Sequence, residues 1–178
     1  MRDFEYEAPT SLADAVGLLA KSNGNARPLA GGTDLIDHVR TGRLSTDLIV
    51  DLKKIPELMA LEENDAGLRL GAAVPCYQIY SHPGILEKYT AIADSCNIIG
   101  GMQIQNRASV GGNLANAGAA ADSTPPLIAL DAIVVIQGPS GTREVPVDQF
   151  CTGPGKNILE PGEIIVELKF PPRPAHSG

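Results

Sequence analysis

Ala26-Arg27-Pro28-Leu29-Ala30-Gly31-Gly32-Thr33-Asp34-Leu35-Ile36 is the stretch on which the fold turns. Ala26 to Ala30 reads as a short strand that runs straight into the glycine pair. Leu35, Ile36 and Val39 then recur at helical spacing and stop near Gly42. Leu48-Ile49-Val50-Asp51-Leu52 is a second run of strand type. Strand, short helix and strand in that order predict a βαβ unit with parallel strands. Upstream, Tyr6 to Thr10 reads as an extended lead-in. Ser11 reads as the N-cap of a helix carrying Leu12, Ala15, Val16 and Leu19 on one face, with Asp14 as its short capping-box partner. Gly24 lies just past the end of that helix. Ile55-Pro56-Glu57 breaks the pattern. A boundary there gives an N-terminal βαβ unit over 1–56 and a second unit over 57–178.

The second half has a different rhythm. Leu58 to Glu62 and Leu68 to Ala72 are strand candidates around Asn64-Asp65-Ala66-Gly67, a hairpin signal. Pro75 to Ser81 and Ile85 to Ile99 read as helices, the second with Ala91, Ile92, Cys96 and Ile99 on one side. A glycine-rich stretch runs from Gly100 to Gly118. Pro125-Pro126 opens a helix through Leu127, Ala129 and Leu130, because proline is tolerated in a first turn. Ala132 to Gln137 and Arg143 to Val147 are strands around Gly138-Pro139-Ser140-Gly141. Glu163 to Phe170 is a last strand, closed by Pro171-Pro172. Parallel βαβ first and hairpins later define an α+β chain.

Composition narrows the function classes. The 178 residues carry a net charge of −7, and the pI is near 4.9. Such a chain repels phosphate backbones and anionic lipid, which argues against nucleic acid and membrane-surface partners. No apolar run reaches the ~20 residues of a membrane helix. The acidic start, Met1-Arg2-Asp3-Phe4-Glu5, is not a secretory leader. Cys76, Cys96 and Cys151 are odd in number and form no CxxC pair. They read as buried apolar residues rather than ligands of a metal or cluster, and a reducing cytoplasmic compartment follows.

The chemistry lies in two glycine loops, Ala30-Gly31-Gly32-Thr33-Asp34 and Ser109-Val110-Gly111-Gly112-Asn113. Adjacent glycines permit positive φ, so consecutive backbone N–H groups can turn to one side. Thr33 and Ser109 can add hydroxyl donors, and Asn113 an amide donor. Several such bonds can hold a diphosphate without Lys or Arg. Asp34 has a second reading, as the N-cap of the short helix. Neither loop is a GxGxxG or a P-loop, which weakens nicotinamide and NTPase readings.

Ala30-Gly31-Gly32-Thr33-Asp34-Leu35, Gln103 to Leu114 (QIQNRASVGGNL) and Ala120-Ala121-Asp122 together resemble the FAD-binding medium subunits of molybdenum hydroxylases. That family includes carbon monoxide, xanthine and nicotinate dehydrogenases. The resemblance covers the whole chain and implies a PCMH-type FAD-binding fold, a small βαβ subdomain plus a larger, mixed or antiparallel one. It implies FAD as cofactor, gripped at its diphosphate between the two loops. By motif, Leu29, Ala30, Gly31, Gly32, Thr33, Asp34, Leu35 and Ile36 form the first loop and its flanks, and Ser109, Val110, Gly111, Gly112 and Asn113 form the second. Asp122 matches an acid that contacts the sugar part of the cofactor, Gly100 a position near the flavin's approach, and Ile164 an apolar residue lining the pocket. The family has Arg where this chain has Gln105. Either Arg107 replaces that charge or the contact is absent. Relatives continue into a third domain beyond Pro171-Pro172, whereas this chain ends at Gly178 with a loose tail.

What the resemblance implies is a relay subunit in a hetero-oligomer. Its partners are an iron–sulfur subunit and a molybdopterin-binding large subunit, with an external electron acceptor. It assigns no catalytic acid or base to this chain. Two alternatives stand beside it: a stand-alone flavin oxidoreductase of the same fold, and a truncated, non-catalytic domain that keeps only a partner surface. His38, His82 and His176 are scattered and read as a helix face, a loop and a tail. Tyr77 and Tyr80 read as core, and Lys53-Lys54 as a surface pair.

Overall fold

The computed structural model describes residues 3–22 and 24–173. The Pro174–Gly178 tail, with His176, lies outside the described residues. The chain runs β1 (Glu5–Glu7), α1 (Leu12–Lys21), β2 (Ala26–Leu29), α2 (Leu35–Arg40), β3 (Leu48–Asp51) and α3 (Pro56–Met59). It continues with β4 (Leu61–Asn64), β5 (Gly67–Gly71), α4 (Cys76–Tyr80), α5 (Pro83–Lys88), α6 (Thr90–Ile98), α7 (Met102–Gln105), α8 (Val110–Asn116) and α9 (Thr124–Ala129). The last elements are β6 (Ile133–Gly138), β7 (Gly141–Pro146), a 3-10 turn (Val147–Gln149), β8 (Cys151–Gly153), β9 (Lys156–Asn157) and β10 (Ile164–Phe170). Strands and helices mix as expected of an α+β chain, with a small parallel sheet and a larger antiparallel one, as the PCMH-type expectation has it.

The N-terminal sheet has order β1-β3-β2. Both pairings are parallel, with Tyr6 opposite Ile49 and Leu29 opposite Asp51. The lead-in around Tyr6 is therefore a strand, because β3 offers it an open edge. Ser11 Oγ accepts from the Asp14 amide at 3.2 Å and caps α1. Its hydroxyl donates to the Asp14 carboxylate at 2.7 Å, so Asp14 pairs with the cap's side chain rather than its backbone. Ala15, Val16 and Leu19 are buried with Val50, Ile55 and Leu58. Ala73 and Ile164, from the other half of the chain, complete that cluster.

The second sheet has order β4-β5-β10-β6-β7 and is antiparallel throughout. Two tight turns set its register. Asn64 pairs with Gly67, which takes φ of 120°, and Gly138 pairs with Gly141 at φ 117°. Both left-handed positions need a residue without a Cβ. Helices α4 to α9 cover one face, around a core that includes Leu70, Ile79, Ile92, Leu127, Phe150 and Leu168.

Four readings from the sequence are corrected. Leu58 lies in α3, not in a strand, because Pro56 opens a helical turn that buries Leu58 completely. The single helix over Ile85–Ile99 is two helices that meet at Tyr89, whose φ of −132° and ψ of 43° break the ladder. Tyr89 is buried there, its hydroxyl donating to the Pro171 carbonyl at 2.9 Å. On α6 the buried face carries Ala93 rather than Ala91, which is exposed. Tyr77 is 39% exposed and is not core. The β8–β9 pair was not visible in the sequence. Among the described residues no helix is long and apolar enough to cross a membrane.

Candidate functional site

A cleft of about 720 Å3 opens where the loop after β2 meets the start of α8. Residues 30–35 line it from one side, and Ser109, Gly111, Gly112 and Asn113 from the other. Ala72 and Ala73 after β5, with Ile164 and Ile165 of β10, supply apolar wall. A large cleft with apolar wall and a few convergent polar groups is the usual form of a cofactor site.

The four glycines do different work. A Cβ on Gly31 would overlap the carbonyl oxygen of Arg107, so Gly31 lets the two loops touch. A Cβ on Gly111 would stand 2.5 Å from both Cβ and the carbonyl oxygen of Ala72, so Gly111 lets α8 settle on the strand end. Gly32 takes φ of 75°, a left-handed conformation, and a Cβ there would meet Leu29 Cδ1 at 2.6 Å. Gly112 alone is open: a Cβ would meet only Ser109 Oγ, at 3.1 Å. One glycine in the second loop thus leaves room for a ligand, while the others are required by the protein's own packing.

Donors gather around this cleft. Among the described residues, the amides of Gly31, Gly32, Thr33, Asp34 and Leu35 donate to no protein oxygen, and neither does that of Gly111. Ser109 Oγ accepts from the Gly112 amide at 3.2 Å. That caps α8 and leaves the Ser109 hydroxyl proton to donate elsewhere. Ser123, fully buried, donates to Asn113 Oδ1 at 2.6 Å. With its oxygen engaged, Asn113 offers its NH2 group. A row of unpartnered amides, a hydroxyl and an amide nitrogen suits an anion with several oxygens, and the donor set therefore fits the diphosphate of FAD. Asp34 sits at the N-cap of α2 but makes no side-chain cap bond.

Behind the first loop lies a cluster of charges. Lys53 Nζ donates to Asp51 Oδ1 at 2.7 Å and to the Ala30 carbonyl at 3.0 Å. Tyr6 donates to Asp51 Oδ2 at 2.5 Å. Burial alone would raise the Asp51 pKa, but the bonds from Lys53 and Tyr6 outweigh it and hold the carboxyl below its ordinary value. On the far wall, Arg143 grips both oxygens of Glu163, at 2.8 and 2.7 Å. That fork keeps the Glu163 carboxyl below its ordinary value, despite burial, which raises it.

Of the residues named from the sequence, 30–35, Ser109, Gly111, Gly112, Asn113 and Ile164 line the cleft. Leu29 and Val110 lie beneath their loops in the core, and Ile36 is 40% exposed outside the cleft. Gly100 is absent from the cleft wall; it is a left-handed position, φ 55°, backed by Ile104. Asp122 is exposed beside Ser123 and likewise lines no part of it. Gln105 is a buried strut: it accepts from Tyr80 Oη at 3.1 Å and donates to the Asn97 carbonyl at 2.8 Å. The nearby cation is Arg107, whose Nε lies 3.4 Å from the Gly31 carbonyl. Lys53 is not a free surface residue, and His38 lines the cleft. Neither Lys53 nor Ser123 carried a sequence signal, since their partners come from other elements.

Comparison with known proteins gives the family. Residues 2–173 match the family described as the FAD binding domain in molybdopterin dehydrogenase. A putative xanthine dehydrogenase FAD-binding subunit of Escherichia coli K12 is 39% identical, over 100% of this chain and 62% of its own length. The carbon monoxide dehydrogenase medium chain of Hydrogenophaga pseudoflava is 32% identical, over 94% of this chain and 58% of its own length. A solved structure of carbon monoxide dehydrogenase from the same organism superposes with a TM-score of 0.94, covering 98% of this chain and 61% of that one. Quinoline 2-oxidoreductase from Pseudomonas putida 86 superposes with a TM-score of 0.91 at 27% identity. The chain spans about three fifths of the length of these relatives. It belongs to the FAD-binding domain family of the molybdopterin dehydrogenases.

Proposed function

We propose that this chain is the FAD-binding, electron-relaying piece of a multi-component molybdenum hydroxylase working in the cytoplasm. Its partners are an iron–sulfur chain, which delivers electrons, and a large molybdopterin chain, where an organic substrate is oxidised. FAD bound in the cleft would supply the redox chemistry that such a relay between the partner's clusters and an external acceptor needs. The residues of this chain bind and orient it. The amides of residues 31–35 and Gly111, the Ser109 hydroxyl and the Asn113 amide would hold its diphosphate. Ala72, Ala73, Ile164 and Ile165 exclude water along the cleft. No proton transfer by a side chain is required for such a relay.

The observation that carries this reading is the convergence of two separate loops, with unpartnered amides, on one cleft. The test is direct. The purified chain is expected to show flavin absorption, and the cofactor released on denaturation is expected to have the mass of FAD. Co-purification with chains holding iron–sulfur clusters and molybdopterin is the expected assembly. Steady consumption of NADPH by the isolated chain with an organic acceptor would instead mark a self-sufficient oxidoreductase.

A further inference from the structure

We propose that Lys53, clamped by Asp51 and assisted by Arg107, is a positioning residue that turns the first glycine loop's amides toward the cofactor. The inference rests on the reading that this loop binds a diphosphate. A peptide unit is planar and trans, so its C=O and N–H point in opposite directions. Lys53 Nζ holds the Ala30 carbonyl at 3.0 Å, and the N–H of that same unit belongs to Gly31. Arg107 Nε stands 3.4 Å from the Gly31 carbonyl, and the N–H of that unit belongs to Gly32. Two cations on two successive carbonyls therefore direct two successive N–H groups away from themselves. Neither of those N–H groups has an acceptor in the protein among the described residues, and both glycines line the cleft.

The ammonium is held in place by more than this one carbonyl. Asp51 Oδ1 accepts from Lys53 Nζ at 2.7 Å and from the Lys53 amide at 2.9 Å. Asp51 Oδ2 accepts from Tyr6 Oη. Tyr6 reaches it because β1 lies beside β3 in parallel register. The side chains are largely enclosed, Lys53 being 29% exposed and Asp51 10%. With Asp51 neutralising it, Lys53 acts on the diphosphate through the orientation of the Ala30–Gly31 peptide and not as a free charge.

The two explanations make opposite statements about Asp51, which gives the experiment. FAD affinity is measured for the wild-type chain and for Lys53→Met, Lys53→Arg and Asp51→Asn. Phosphorus NMR at saturating FAD reads the pyrophosphate, and visible absorption reads the ring. Positioning predicts that Lys53→Met weakens FAD binding about tenfold, the loss of one charge-assisted bond. Its pyrophosphate resonances shift away from the wild-type positions while the ring spectrum holds, and Lys53→Arg restores both. Asp51→Asn, which frees Lys53 and adds positive charge, also weakens binding. Tighter binding by Asp51→Asn would show simple charge attraction and overturn the proposal. So would pyrophosphate resonances in Lys53→Met that match the wild type. If bound and free FAD give the same resonances in the wild-type chain, the diphosphate reading itself fails and takes this proposal with it.

Discussion

Ser123, with no exposed surface, donates its hydroxyl to Asn113 Oδ1 at 2.6 Å, joining the turn before α9 to the first turns of α8. That bond decides which end of the Asn113 amide is left for a ligand. Replacing Ser123 by Ala leaves a carbonyl oxygen without its donor, at a cost of about 1–2 kcal/mol. Urea denaturation is expected to show that loss, and FAD titration a weaker complex, since the amide can then turn over. An unchanged affinity would mean that Asn113 does not donate to the cofactor.

The glycines separate packing from binding. Gly31→Ala and Gly111→Ala each drive a methyl group into backbone, of Arg107 and Ala72 respectively. Overpacking against backbone costs about 1–3 kcal/mol or more. Both variants are expected to melt at lower temperature even without flavin. A melting temperature equal to that of the wild type would contradict the close approach of the loops.

A pH dependence follows from the Arg143–Glu163 fork. The Glu163 carboxyl titrates below its ordinary value in the folded chain, chiefly through the Arg143 hydrogen bonds. A depressed folded pKa stabilises above the unfolded value, about 4.3 for Glu, and that stabilisation is lost as pH falls through the folded value. The stability gap between wild type and Arg143→Met is therefore expected to be larger at pH 7 than at pH 3. It narrows without closing, because Arg143 also donates to the Ile158 carbonyl at 3.0 Å. Equal gaps in urea melts at the two pH values would contradict the assignment.

Gln105 is expected to act on stability alone. Gln105→Leu removes the partner of the Tyr80 hydroxyl and of the Asn97 carbonyl, and with it the link between α4, α6 and α7. The cost is about 1 kcal/mol, since Tyr80 is half-buried and Asn97 exposed and water can partner the freed groups. FAD affinity is expected to stay constant, since Gln105 does not line the cleft. A selective loss of flavin with no loss of stability would contradict this.

Local chemistry was legible in the sequence wherever one short segment carries the whole message. Ser11 with Asp14, the turns at Gly67 and Gly141, and the proline start of α9 all needed nothing beyond their neighbours. The glycine loops were legible as donor arrays for the same reason. What stayed hidden depends on contacts across the chain. The break at Tyr89 reflects a tyrosine whose hydroxyl bonds Pro171, 82 positions away. Lys53 reads as a surface charge until β1 is seen beside β3, bringing Tyr6 to Asp51. Gly31 and Gly111 read as ligand contacts and do line the cleft, but their second duty, a close approach to the backbone of Arg107 and Ala72, was hidden.

Gly112 tests the central claim most directly, because it is exposed, lies in the first turn of α8 and has open space where a Cβ would stand, apart from Ser109 Oγ at 3.1 Å. The measurement is equilibrium FAD binding by the wild-type chain and by Gly112→Val, with the melting temperature of each flavin-free protein. The expected result is a variant that melts within a few degrees of the wild type, about 1 kcal/mol apart at most, and has lost flavin binding. A variant that melts normally and binds FAD as tightly as the wild type would contradict the claim that these loops hold the cofactor.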